Sequence, residues 1–243
     1  MNNSLMSSIC PDNGSYSKPI VSFDIDWAHD DILADTIDIV EKANVNAVWF
    51  VTHSTELLNR LKRNPLFELG IHPNFNGLLD GDFRNGRTVT EIVDCLISIV
   101  PEAKCIRSHS LTQSSRLSQI FLSRGLTHDA NDYIPASSGI TLQPWRLETG
   151  LIKVPYFWTD ELACYKDTCL SMFELVSRSG LKVFDFHPIH VFLNTEHLDR
   201  YESTRHLHRN PAELIKHRYE GVGTRTRLLE LLNLVSLPSV KKE

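Results

Sequence analysis

The chain has 243 residues, of which 42% are hydrophobic and 23% charged, and it carries a formal net charge of -5. That is ordinary globular composition with enough apolar material for a substantial core. The acidic balance argues against nucleic acid as a partner, and no apolar run approaches the roughly 20 residues a spanning helix needs, so no stable membrane insertion is expected.

Residues 1–18 are polar, with neither the basic nor the apolar region of a signal peptide, and read as a flexible N-terminus. Five cysteines (Cys10, Cys95, Cys105, Cys164, Cys169) are an odd number without CxxC spacing, which fits reduced core thiols in a cytoplasmic protein. The remainder, 19–243, reads as a single domain with a C-terminal helical tail and no internal repeat.

In chain order, "IVSFDID" (20–26) is the first predicted strand, followed by a helix with Leu33, Ile37 and Val40 on one face. "NAVWFVTH" (46–53) is a second strand, dense in β-formers, and a short helix is expected from near Ser54. "FELGIHP" (67–73) is a third strand that runs into a polar, Gly-rich loop. Thr88 and Glu91 make a capping box before an apolar helix. "KCIRSHS" (104–110) is a fourth strand, a helix ends at Gly125, and "GLTHDAN" is a fifth strand. Residues 140–158 read as irregular β structure and 168–178 as a helix before the last clear strand, "LKVFDFHPIHVF". Amphipathic helices around "AELIKHRYE" and "RTRLLELLNLV" close the chain, with "GVG" (221–223) between them as a helix stop. Strands alternating with helices predict a parallel α/β architecture.

Chemistry gathers at the C-terminal ends of strands in such folds. The first strand ends on Asp24 and Asp26, the third on His72, the fourth on Arg107 and His109, and the last on His187 and His190. Positions i and i+2 of a strand share a face, so Asp24 and Asp26 are expected to look into one pocket. One of them can bind a metal while the other, held ionised by Arg107, takes a proton from water. Two histidines and a carboxylate suit Zn²⁺ with one position left open, and a further histidine suits protonation of a leaving amine.

With "SFDID", "NAVWFVTH", "ELGIHPNF", "IRSHSL", "PYFWTD" and "FDFHPIH" in this order, the chain resembles the polysaccharide deacetylase superfamily. This is the NodB-homology domain of carbohydrate esterase family 4, and the resemblance extends to its WbmS-type branch, associated with surface-polysaccharide loci. It implies a distorted (β/α) barrel of about seven strands and a divalent metal, zinc by preference. The implied activity is hydrolysis of an N-acyl group, acetyl first, from an amino sugar that is nucleotide-linked or part of a glycan precursor. It implies Asp24 as base and Asp26 as metal ligand, with the two roles interchangeable because Ile25 separates them. The family's His-x-x-x-His motif places His72 but meets Asn76 four residues on, and His109 is favoured as the third ligand. Arg107 corresponds to the arginine that tethers the base. His187 corresponds to the catalytic acid with Asp160 to orient it, and His190 is the alternative acid. Asn74, Trp158 and His190 are the candidate substrate contacts. A hydrolase of cyclic imides or ureides, and an inactive carbohydrate-binding relative, are the competing expectations.

Other groups have plainer readings. Asp80, Asp82 and Glu91 fail an EF-hand template because Arg84 stands at a ligand position. His29, His53 and His128 are expected to be structural, and "HLHR" (206–209) a solvated segment.

Overall fold

Nine strands run through the described part of the chain, residues 5–12, 14, 16, 18–164 and 170–236 of a computed structural model. They are β1 (Ile20–Asp24), β2 (Ala47–Val51), β3 (Phe67–Ile71), β4 (Cys105–Ile106), β5 (His128–Asp129), β6 (Trp145–Arg146), β7 (Ile152–Lys153), β8 (Trp158–Thr159) and β9 (Val183–Phe186). Their order in the sheet is β6-β7-β5-β4-β3-β2-β1-β9-β8. The α/β class agrees with the sequence reading. About seven strands were expected, and the larger number arises because the stretch read as irregular resolves into the two-residue strands β6, β7 and β8.

The chain divides into two compact units. The first comprises Met1–Trp27, Asn46–Trp158 and Ser179–Asp185, and the second Ala28–Val45, Thr159–Arg178 and Phe186–Glu243. In the first unit β1 to β5 and β7 pair in parallel, and β6 lies antiparallel to β7. Every residue of β1 and β2 is buried, which explains their near-continuous apolar runs. Phe23 stacks on Trp49 with ring centroids 4.2 Å apart. Gly70 sits mid-strand because a Cβ there would come within 2.8 Å of the Phe50 ring and of the Cys105 carbonyl.

The parallel register has a functional consequence. Asp24 lies opposite Phe50, Val51 opposite Ile71, Ile71 opposite Ile106, and Ile106 opposite Asp129. The residues leaving these strands, Ile25, Thr52, His72, Arg107 and Ala130, therefore emerge side by side at one end of the sheet.

The N-terminus departs from expectation. Met6 and Ile9 are 0% and 3% exposed, Ser7 N–H donates to Glu68, and the His128 ring lies 3.0 Å from the Ile9 carbonyl. Two apolar residues are enough to draw this stretch of an otherwise polar segment into the core.

The second unit is helical. The helix Asp30–Ala43 starts at His29, whose ring accepts from Asp31 N–H, and buries Ile32, Leu33, Thr36, Ile37 and Val40. It packs on Pro188–Leu193 and Thr224–Ser236, and the last of these also packs on Met172–Val176. Asp35 anchors Arg225, with Arg218 at 3.5 Å.

Several predicted boundaries move. The helix expected from Ser54 begins at Leu58, and the one expected at 168–178 spans Met172–Val176, with 168 and 169 outside the described residues. "AELIKHRYE" breaks into a short helix, Pro211–Leu214, and a 3-10 turn, Ile215–His217. "GVG" precedes a helix instead of stopping one, since Gly223 N–H donates to Thr226 Oγ1 at 2.8 Å. Glu91 completes half of its capping box: Thr88 accepts its N–H, but its carboxylate takes the N–H of Arg87. Of the cysteines expected in the core, Cys105 and Cys164 are buried, Cys10 is half-buried and Cys95 is exposed; Cys169 lies outside the described residues. No helix among the described residues is long and apolar enough to cross a membrane.

Candidate active site

Asp24 is the last residue of β1 and only 4% exposed. Burial of a carboxylate demands a partner, and Arg107, fully buried where the chain leaves β4, supplies it through Nη1 at 3.0 Å from Asp24 Oδ1. The same Nη1 meets Asp185, Nη2 donates to Ser22 Oγ at 3.0 Å, and Nε donates to the Ala130 carbonyl at 3.3 Å. The Phe50 and Tyr156 rings lie 4.4 and 4.7 Å from the guanidinium carbon. Burial works against the arginine's charge, but Asp185 and Asp24 outweigh it and raise its pKa.

Asp26 does not share a pleat with Asp24 as the i, i+2 reading expected. The ladder continues only to Ile25 N–H, which donates to the Phe50 carbonyl, and the chain then turns through positive φ at Asp26 (35°) and Trp27 (52°). Left-handed backbone at two consecutive non-glycine residues is strained and characteristic of functional turns. His72, 3% exposed, leaves β3 between the two acids, with Nδ1 at 3.6 Å from Asp24 Oδ1 and Nε2 at 3.3 Å from Asp26 Oδ1. Burial alone would lower its pKa, but the Asp24 and Asp26 carboxylates prevail and raise it.

His109 completes the group. Its N–H donates to the Pro73 carbonyl, and its Nδ1 lies 3.4 Å from Asp26 Oδ1 and 3.3 Å from His72 Nε2. The Trp27 ring meets its edge at 5.3 Å. Asp26, His72 and His109 thus present three donor atoms in a triangle with sides of 3.3, 3.3 and 3.4 Å. Bonds of about 2.0–2.1 Å at tetrahedral angles separate zinc's donors by about 3.3–3.4 Å. One carboxylate and two imidazoles at this spacing fit a divalent ion with a further position for water. Asn76, at the family's second histidine position, donates to Ser110 Oγ at 3.0 Å and ties the two loops together.

In the second unit, Asp160 opens a short helix and is fully buried. One of its oxygens lies 2.7 Å from His187 Nδ1 and the other accepts His187 N–H at 2.8 Å. The two contacts fix the orientation of the His187 ring.

The expected substrate contacts fare differently. Trp158 is 4% exposed, with its ring packed on Phe184. His190 is 4% exposed, with Nδ1 at 3.1 Å from Thr195 Oγ1 and its ring against Tyr201. Asn74 accepts Asn76 N–H at 2.9 Å and so shapes the loop after His72. Sequence reasoning missed Asp185 and Ser22, the other partners of Arg107. The signal was present as a lone acid inside the apolar "VFDF", the same pattern that drew attention to β1.

The family model of WbmS-like polysaccharide deacetylases matches residues 21–205. A solved structure from Bordetella bronchiseptica, WbmS, is provisionally described as a polysaccharide deacetylase involved in O-antigen biosynthesis. It is 47% identical, covers 94% of this chain and 96% of its own, and superposes with a TM-score of 0.89. A structure from Mycobacterium smegmatis, also provisionally described as a polysaccharide deacetylase, is 15% identical over 92% of this chain and 93% of its own, with a TM-score of 0.49. No curated protein matches the sequence. Agreement in family model, in identity and in fold along nearly the whole chain leads to one conclusion: this chain belongs to the WbmS-like polysaccharide deacetylase family.

Proposed function

We propose that the protein is a metal-dependent hydrolase that removes an N-acyl group, acetyl in our reading, from an amino sugar used in surface-polysaccharide assembly. The observation that carries this reading is the triangle of Asp26, His72 and His109 beside an aspartate held by a buried arginine. The kinship with WbmS, described as involved in O-antigen biosynthesis, supports the sugar context.

Asp26 Oδ1, His72 Nε2 and His109 Nδ1 would hold the ion, zinc by the chemistry of the donors, which when bound acidifies water and polarises an acyl oxygen. Asp24 accepts the proton of the attacking water. Arg107 holds it through Oδ1, and its grip extends to Asp185 and Ser22, so the carboxylate does not rotate away. By the family resemblance, His187 is the candidate group to protonate the departing nitrogen, with Asp160 held against its Nδ1. The sugar donor is a nucleotide-linked or glycan-precursor acetamido sugar.

The test is acetate release from a panel of nucleotide-linked and oligosaccharide acetamido sugars, with and without a chelator. Release that stops on chelation and returns with zinc supports the reading. Binding of these sugars without release of acetate or formate, or full activity in metal-free protein, overturns it.

A further inference from the structure

All three proposed ligands lie just past the ends of their strands, and the backbone N–H groups of His72 and His109 still donate to neighbouring carbonyls, of Val51 and Pro73. Asp26 and His109 are in addition each flanked by a backbone N–H bound to a buried side chain from the neighbouring strand's end. Trp27 N–H, immediately after Asp26, donates to Thr52 Oγ1 at 3.1 Å. Ser108 N–H, immediately before His109, donates to Asn131 Oδ1 at 2.7 Å. Thr52 and Asn131 are 8% and 1% exposed.

Both side chains are themselves held. Thr52 Oγ1 lies 2.8 Å from His53 Nδ1, and with two lone pairs on the hydroxyl one remains for Trp27 N–H in either tautomer of the ring. Asn131 N–H donates to Asp129 Oδ1 at 2.9 Å, and Asp129 Oδ2 meets the buried Lys153 ammonium at 3.0 Å. A lysine 4% exposed and paired with Asp129 and Asp132 is weak evidence for stability, because desolvating the charges offsets much of their attraction. Its place at the foot of the Asn131 contact fits a role in fixing geometry.

We infer that Thr52 and Asn131 are positioning residues that clamp the Asp26 turn and the His109 loop in ligand geometry. The inference rests on the metal-binding reading above. Groups that orient metal ligands typically change affinity by about 10–100-fold when removed. Thr52→Val keeps the shape of the side chain and removes the hydroxyl that holds Trp27 N–H and meets His53, Thr52→Ser restores it, and Asn131→Ala removes the second clamp.

The experiment measures zinc affinity by competition with a chromophoric chelator, the visible spectrum of the cobalt-loaded protein, and the melting temperature of the metal-free protein. Thr52→Val and Asn131→Ala are expected to bind zinc about 10–100-fold more weakly with a perturbed cobalt spectrum and little change in metal-free melting. Thr52→Ser should return affinity and spectrum to those of the parent. Parental affinity in Thr52→Val and Asn131→Ala, failure of Thr52→Ser to rescue, or weakening that merely tracks lost metal-free stability overturns the clamps. Parent protein that binds neither zinc nor cobalt overturns the metal reading itself, and the two failures are thereby distinct.

Discussion

Asp185 meets Arg107 through Nη1, the nitrogen that also reaches Asp24 Oδ1 at 3.0 Å. One buried cation therefore serves two buried carboxylates. Such a group is stable only while every member is paired, since an uncompensated buried charge is far more costly than the pair is favourable.

Arg107→Met leaves Asp24 and Asp185 without their cation. Breaking a buried pair in this way destabilises by about 3–5 kcal/mol. Urea unfolding followed by circular dichroism should show this loss, and a variant as stable as the parent would contradict the role assigned to the guanidinium.

Asp24 and His72 are expected to fail in different ways. Asp24→Asn should retain zinc, because the triangle of donors is intact, yet lose activity by about 10²–10⁴-fold with the general base removed. His72→Ala should lose zinc and activity together. Elemental analysis beside acetate-release kinetics separates them, and near-parental turnover in Asp24→Asn would move the base to Asp26.

Asp160→Asn tests the second unit. The amide presents no carboxylate to His187 Nδ1–H, so the ring loses its tautomer and its counter-charge. The expected outcome is a fall in kcat of about 10²–10⁴-fold with KM retained. Unchanged kcat would remove His187 from the reaction.

His128 supplies a pH dependence away from the site. Burial is the main cause of its lowered pKa, with the Ile9 carbonyl opposing. The folded protein thus resists protonation at this ring. Its contribution is intact above about pH 6.5, the ordinary histidine value, and declines as pH falls from there toward the lower folded value. Melting temperature measured across this range should drop on the acid side, and His128→Asn should flatten that part of the curve.

The cysteines predict a labelling pattern. Cys95 is exposed, whereas Cys105 and Cys164 are buried; burial, reinforced by Asp160, pushes the Cys164 thiol up to about 12. Peptide mapping after brief alkylation of native protein should find Cys95 modified and Cys105 and Cys164 protected until denaturant is added.

The architecture was legible because long apolar runs with period 2 and period 3.6 leave few alternatives, and β1 to β3 fall where those runs lie. The two-residue strands β6 to β8 were blurred because so short a run carries no period, and their pairing comes from neighbours elsewhere in the chain. Asp185 escaped notice for a related reason: a single acid in an apolar strand has meaning only beside the arginine it faces, 78 positions away. Trp158 and His190, expected as substrate contacts, are each 4% exposed, a burial that residue type does not report.

By itself the sequence determined which groups are available for chemistry: two acids at the end of one strand, and histidines and an arginine at the ends of others. It also carried the family's ordered motifs, with Asn76 in place of a histidine. Only the tertiary structure decided how these groups divide. The chain turns through left-handed backbone after Ile25, so Asp24 faces Arg107 while Asp26 leaves the sheet to meet His72 and His109. Strand alternation would have kept the two acids on one face. What separates them is a local strain that hydrogen bonds from another strand's end, not propensity along β1, are placed to sustain.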